Sequence, residues 1–478
     1  MSFFPVAFSS DNRTTKKLTP IKLQNWYVQP IKDDAAKRSR AVLLPTPGLT
    51  PLVDMGAAVR GLYAEPGVRG GLLHAIAGDT LYSVSSSWAT TSIGSVVSST
   101  GEVQMTGLRD RLFALVNGNV FRWDGTTLSQ VTDPDLPSSV TSVEVFVQRL
   151  FVTQADDTIS WSATLDGTSW EALGFATAEQ APDAAMRLFR VGSQLIVAGE
   201  KSFEFWRATG DNALPAANVT ASAIEESQGL IGPNAICKLG DKTMFVGGNR
   251  SCYAAQGIGL TMLPANPELE DQLQAMSEAD QAKTTCWAYR DGAHEFFVVR
   301  PFGQPAQVLD LSTQLSASRK SFGATDWKVR FHAKVYGQDV VALEGSNWLF
   351  RLDPDVYTDD GKSVERIATV RVGFENFETI GSLALDARAY ARPASGQGSN
   401  PQFMVDISSD GISDRDHKRG EMVMGLGSDG EYRKPVCWGL GGPFSPAEGV
   451  TLGIRMTDPA GVALYGAWFN EGDPNWST

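Results

Sequence analysis

Four histidines, His74, His294, His332 and His417, are the side chains best suited to hold a metal or move a proton near neutral pH. They lie far apart and form no His-Glu-x-x-His, so structural or surface histidines are expected rather than a metal site. Cys237, Cys252, Cys286 and Cys437 make no Cys-x-x-Cys pair, which favours four buried thiols over a disulfide framework or a zinc site. Gly425-Leu426-Gly427-Ser428-Asp429-Gly430 matches the dinucleotide fingerprint in letters only. No helical pattern follows it and Glu431 to Trp438 reads as a strand, so it is a turn. Neither a Walker loop nor a G-x-S-x-G elbow occurs. Acidic pairs abound, but sequence cannot bring two carboxylates to the roughly 5–9.5 Å that glycoside hydrolysis requires. The chain is read as a non-enzyme without cofactor or metal.

One near-motif remains. Ser162-Ala163-Thr164-Leu165-Asp166-Gly167-Thr168-Ser169-Trp170 approaches the Asp-box turn of sialidase-like propellers, with Asp166 and Gly167 adjacent where that pattern has a residue between them. A carboxylate bonding loop amides and a Trp packing between strands make a folding turn, the reading adopted here.

Charge points to partners rather than substrates. The 41 basic and 54 acidic residues give a net charge of −13, which opposes tight nucleic-acid binding but not DNA sliding past. Residues 1 to 40 run the other way, with Arg13, Lys16, Lys17, Lys22, Lys32, Lys37, Arg38 and Arg40 against Asp11, Asp33 and Asp34, so +5 there and −18 elsewhere. This basic stretch reads as a docking arm, with Arg13, Lys16, Lys17, Lys22, Lys37, Arg38 and Arg40 as its contacts; a solvated arm with incidental charge is the alternative. No run approaches the ~18 apolar residues needed to span a bilayer, and no basic segment precedes the apolar start. Residence in a cytosol, or in something assembled there, is expected, with no membrane partner.

The elements that carry these residues are β-hairpins. Leu108 to Gly125 reads as a strand through Leu112 and Val116, a turn at Asn117-Gly118, a return through Val120 and Trp123, and a turn at Asp124-Gly125. Asn-Gly and Asp-Gly accept the positive φ of a type I′ turn. Similar units turn at Gly78-Asp79, Asp156-Asp157, Gly199-Glu200, Gly248-Asn249, Asp291-Gly292 and Gly345-Ser346, 39 to 54 residues apart. That spacing fits one propeller blade per unit, since a lone hairpin cannot bury its apolar face. The expectation is an all-β chain: an extended N-terminal arm over 1–55, a six- or seven-bladed β-propeller over 56–358, and a C-terminal β-sandwich over 364–478. A two-sheet β-sandwich array is the rival fold. The arm is expected to lie on the propeller and is placed to supply the strand that closes the ring. A short helical insert, one helix or two, is expected over 264–285, where Pro267 marks a start and Ser277 with Asp280 a capping pair.

Asn25-Trp26-Tyr27-Val28, Pro47-Gly48-Leu49, Val59-Arg60-Gly61-Leu62-Tyr63, Ser202-Phe203-Glu204-Phe205-Trp206, Met276-Ser277-Glu278-Ala279-Asp280 and Ser408-Ser409-Asp410-Gly411 occur in that order. As an ordered set over nearly the whole chain, they resemble the packaged-DNA stabilisation, or tail hub, proteins of short-tailed bacteriophages; Gly441 to Thr478 carries least of it. The resemblance implies a virion protein of the tail, made in the host bacterial cytoplasm. It implies a ring of copies, a hexamer, below the portal and its adaptor protein, which closes the DNA-filled head and carries the tail needle and tail spikes or fibres. Double-stranded DNA would pass without sequence-specific binding. Two other readings stand beside it: a propeller that binds or hydrolyses glycans, and a bacterial propeller scaffold unconnected with phage.

Overall fold

The computed structural model describes residues 2–7, 21–31, 41–178, 185–219, 229–256, 259–321, 323–373, 378–408, 418–425, 436–444 and 450–469. Strand pairing gives seven successive antiparallel units, blades 1 to 7, over 59–95, 103–130, 142–177, 185–218, 236–262, 285–319 and 329–353, the first six four-stranded and the seventh three-stranded within its own range. First strands touch between blades 1 and 2, 2 and 3, 3 and 4, 5 and 6, and 6 and 7, blades 4 and 5 share one apolar cluster that includes Phe205 and Phe245, and the first strand of blade 7, Val329–Val335, reaches back to that of blade 1, Val59–Tyr63. The sheets therefore form one closed ring, a seven-bladed propeller and not an array of sandwiches. Each gap between blades is filled by its own apolar cluster; Leu188, Leu195 and Trp206 of blade 4, for example, pack on Phe146, Phe151 and Trp161 of blade 3.

The local turn chemistry acts as the residue types require. Asn117 and Gly118 take φ of +48° and +78° between strands Arg111–Val116 and Asn119–Trp123. One unit is out of phase: Asp291-Gly292 joins the first two strands of blade 6, whereas its second and third strands are joined through residues 301–305. The helical insert causes the slip by lengthening the approach to that blade. It consists of two short helices. Pro267–Gln274 is capped by the Asn266 side chain accepting from Leu269 N–H, and Glu278–Gln281 by Ser277 accepting from Asp280 N–H.

Blade 7 has only three strands of its own, and the fourth comes from the other end of the chain. Strand Gly48–Asp54 pairs antiparallel with Trp348–Asp353, so the ring is closed by hydrogen bonds between residues about 300 positions apart in sequence. The rest of the N-terminal stretch departs from an arm lying on the propeller. Strands Ser2–Pro5, Trp26–Pro30 and Ala41–Pro45 join Gly461–Phe469, Glu378–Ala391 and Val436–Phe444 in one sheet. A second sheet of Arg366–Val372, Val450–Met456, Gln402–Ser408 and Lys418–Gly425 faces it across one core, where Trp26, Val28 and Leu43 meet Leu383, Phe403, Ile454 and Leu464. The sandwich is thus built from both ends of the chain. Between it and the ring lies Leu23–Gln24, parallel to the last strand of blade 6 and antiparallel to Arg366–Val372, which makes blade 6 and one sandwich sheet a single nine-stranded sheet.

Leu49, 1% exposed on the closing strand, packs in the blade 6–blade 7 core with Trp287, Phe350 and Leu352. Leu49→Ala should lower unfolding free energy by about 2–5 kcal/mol, while Leu173→Ala, at an 88% exposed position, should stay within about 0.5 kcal/mol. Denaturant midpoints of the two variants check this; equal midpoints would mean that the closing strand bears no load.

Candidate functional site: the crossed channel

The first strand of each blade faces the propeller axis, and the charged residues on these strands meet across it. Glu102, just before the first strand of blade 2, is bound by Arg330 of blade 7 and by Asn234 Nδ2 of blade 5 at 3.1 Å. Glu65, just after the first strand of blade 1, is bound by Arg190 Nη2 of blade 4 at 2.7 Å and by the Tyr63 hydroxyl. Residues near the starts of the strands thus meet each other, and residues near the ends likewise. The channel is bridged at both mouths by direct pairs between distant blades.

Other charges of the channel are also engaged, whereas the Nε and Nη1 atoms of Arg187, on the first strand of blade 4 near Glu144 and Glu102, are buried and make no hydrogen bond. Glu144 accepts from the Thr106 hydroxyl at 2.7 Å, from Val145 N–H at 2.9 Å and from Arg190 N–H at 3.3 Å. Glu344 is held by Arg300 and Arg330 at 2.5 and 3.2 Å. Burial works against its charge, but the two guanidinium groups outweigh burial and leave its carboxyl below the usual range. Arg60 directs its N–H groups to the carbonyls of Gly78, Ser98, Thr100 and Gly101, which leaves none for a phosphate. A cavity of about 200 Å³ lies among Arg60, Thr100, Glu102, Arg330 and Glu344. Its carboxylates, Glu102 and Glu344, are each bound by arginine side chains from the scaffold, which leaves neither placed to donate a proton to a ligand.

This geometry decides what the channel can pass. A duplex whose major groove alone is about 12 Å wide cannot thread between groups in hydrogen-bond contact. Any path for DNA runs outside the propeller hole.

The sequence candidates fall in different places. Of the basic contacts only Lys22 is described; Arg13, Lys16, Lys17, Lys37, Arg38 and Arg40 lie outside the described residues. Lys22 is half-buried beside the blade 6–sandwich junction rather than on a free arm. Burial and Lys320 hold its pKa down, against Glu268 and Glu365. Asp166 takes its folding role: its carboxylate accepts from the Thr168 hydroxyl at 2.7 Å and Ser169 N–H at 2.8 Å, and Trp170 is buried in the blade 2–blade 3 core. Gly167 has φ of +76° with the Phe113 ring where a Cβ would stand, so this position requires glycine. Cys237, Cys252 and Cys286 are buried free thiols in one cluster between blades 5 and 6, and burial pushes Cys252 up to about 12. Cys437 lies on a strand whose backbone alone is described, and His417 and residues 426–430 of the glycine motif lie outside the described residues. Among the described residues no group of three or more His, Cys, Asp or Glu is arranged to hold a metal, and no described helix is long and apolar enough to cross a membrane. The channel pairs escaped the sequence reading because their partners are 125 to 228 residues apart and carry no local motif.

A closed seven-bladed ring with side-chain pairs across its channel defines a β-propeller. A family model described as phage stabilisation, bacteriophage P22 Gp10, beta-propeller, matches residues 28–347, and the chain belongs to that family. No curated protein matches. Solved propellers are similar at low identity. The WD40 repeats of RRP9 share 10% identity over 65% of this chain and 99% of that one, TM-score 0.43. YCF48 bound to D1 peptide shares 14% over 64% and 97%, TM-score 0.39. BamB from Moraxella catarrhalis shares 10% over 73% and 97%, TM-score 0.40. At such scores they add nothing to the fold read from strand pairing.

Two outcomes are expected. Arg190→Glu, which sets three carboxylates together, should destabilise the chain by about 1–3 kcal/mol, and adding Glu65→Arg should recover part of the loss; a double variant no better than the single would refute the cross-channel contact. His74 is 1% exposed in blade 1, and burial holds its pKa down at about 4, below its ordinary 6.5. Its stabilising contribution is present above pH 6.5 and is lost as pH falls through that window toward 4, by at most about 3 kcal/mol. His74→Leu should therefore lose less stability than the parent between pH 7 and 4.5; equal losses in denaturant titrations would contradict the assignment.

Proposed function

We propose that this protein is a structural subunit of a phage tail hub, which completes the DNA-filled head and anchors the distal tail. The observation that carries the reading is the crossed channel: a propeller whose hole is bridged by Glu102–Arg330 and Glu65–Arg190 acts as a solid wedge, so DNA passes along the axis of a ring of such wedges. The ring is made of copies of this chain, six by family resemblance, docked below the portal and its adaptor protein, with the tail needle and the spikes or fibres attached beyond. The basic stretch with Arg13, Lys16, Lys17, Lys37, Arg38 and Arg40 is the first docking candidate, without Lys22, and the acidic remainder repels phosphates and does not hold the passing duplex. Retention of DNA is mechanical, through subunit contacts each burying roughly 1,200–2,000 Å², and the protein is no enzyme. It resides in the tail of the virion after synthesis in the bacterial cytoplasm. The glycan reading draws no support from Asp166, whose carboxylate is held by its own loop, nor from the paired carboxylates of the channel.

Filled heads that carry portal and adaptor but lack this protein should leak DNA, and the purified chain should bind them and stop the leak. Equal leakage with and without the chain, and no co-sedimentation, would defeat the proposal and turn attention to glycan assays.

A further inference from the structure

The inner wall of the propeller is interrupted at one seam. Every other pair of neighbouring blades brings its first strands together, whereas those of blades 4 and 5, Ala185–Val191 and Ile236–Leu239, stand further apart. These two blades are held instead by strands behind the wall, where Phe203 stacks on Phe245 with centroids 4.5 Å apart. A slot is left between the two first strands, on the channel side.

One side chain stands at that slot with its donors unused. Alternation along the strand puts Arg187 on the same face as Phe189 and Val191, and both of those pack on the cluster shared with blade 5. The register shifts between Ala185 and Arg187, a bulge of the kind that re-aims a side chain within a ladder. Nε and Nη1 of Arg187 are buried without hydrogen-bond partners, and among the described residues no carboxylate forms an ion pair with the guanidinium. The nearest acids are taken. Glu102 is bound by Arg330 and Asn234, and Glu144 by the Thr106 hydroxyl and the N–H groups of Val145 and Arg190. Burial holds the pKa of Arg187 down, against the longer-range pull of Glu144 and Glu102, yet a guanidinium keeps its proton in a protein. A cation is therefore built into the wall without an acceptor, an arrangement that is costly unless something supplies one.

We propose that the slot between the first strands of blades 4 and 5 binds a small free oxyanion, of the phosphate or sulfate class, on Arg187. The planar fork of N–H groups matches two oxygens of such an ion, which a halide cannot offer. The pairs Glu102–Arg330 and Glu65–Arg190 across the channel shut out the backbone of a duplex, so the ion is free and not part of passing DNA. Bound there, it supplies the missing acceptors and occupies the seam at which the inner wall is interrupted. The site does not depend on the hub reading.

The full chain is titrated calorimetrically with inorganic phosphate and, separately, with sulfate, at pH 7 and at an ionic strength held constant with chloride. One ion per chain should bind to the parent, and Arg187→Met should weaken binding about tenfold or more. Arg187→Lys, which keeps the charge and loses the fork, should also bind more weakly than the parent. Should Arg187→Met fail to fold, the parent labelled with ¹⁵N-arginine decides: either ion should move one Nε–H signal, the one missing from Arg187→Lys. Equal binding to the parent and the variants would overturn the proposal, as would a parent whose Arg187 signal neither ion moves, and Arg187 would then be met by water alone.

Discussion

Everything in the molecule converges on one buried amide. Asn25, fully enclosed with φ of +59°, donates from Nδ2 to the carbonyls of Lys320 at 3.0 Å and Glu365 at 2.6 Å, and its Oδ1 accepts from Arg319 Nη1 at 3.1 Å and Lys320 N–H at 3.0 Å. Its own backbone binds Ser318 on one side and Thr46 on the other. Those partners belong to the outer strand of blade 6, the first strand of the sandwich and the segment that leads into the ring-closing strand. Arg319, 1% exposed, completes the knot by reaching Asp359 Oδ1 at 2.7 Å and the Pro47 carbonyl at 3.2 Å while lying 4.7 Å over Trp327. Removing one partner from such a network leaves buried groups unpaired and costs on the order of 3–5 kcal/mol.

From that knot the division of labour follows. Arg366, held down at about 10 by burial, lies over Trp26 and Tyr357 and bonds the carbonyls of Ala460 and Asp458, so the sandwich is tied to the same point. Ring closure, sandwich assembly and the joint between them depend on residues 23–54, which makes the two lobes one mechanical unit.

What could be read from sequence was local. Asn117-Gly118, Ser277 with Asp280, Pro267 and the Asp166 loop each carry their chemistry within a few residues, and each stands in the structure as its residue types require. Where only spacing was available the reading slipped, as at Asp291-Gly292, because the insert displaced the count. The joining of the first fifty residues to the last hundred was illegible for a physical reason: strands Ser2–Pro5 and Ala41–Pro45 find their partner, Gly461–Phe469, at the far end of the chain, and alternation specifies a buried face but not what covers it. Lys22 looked like part of a free basic arm because charge alone says nothing of burial. Glu102 and Arg330, or Asn25 and Arg319, are ordinary letters until the fold brings them together.

Calorimetry of the whole chain tests most directly whether ring and sandwich are one body. A single cooperative transition in the parent, resolved into two by Asn25→Ala, is the predicted result. Two transitions already present in the parent, unchanged by the substitution, would contradict the account.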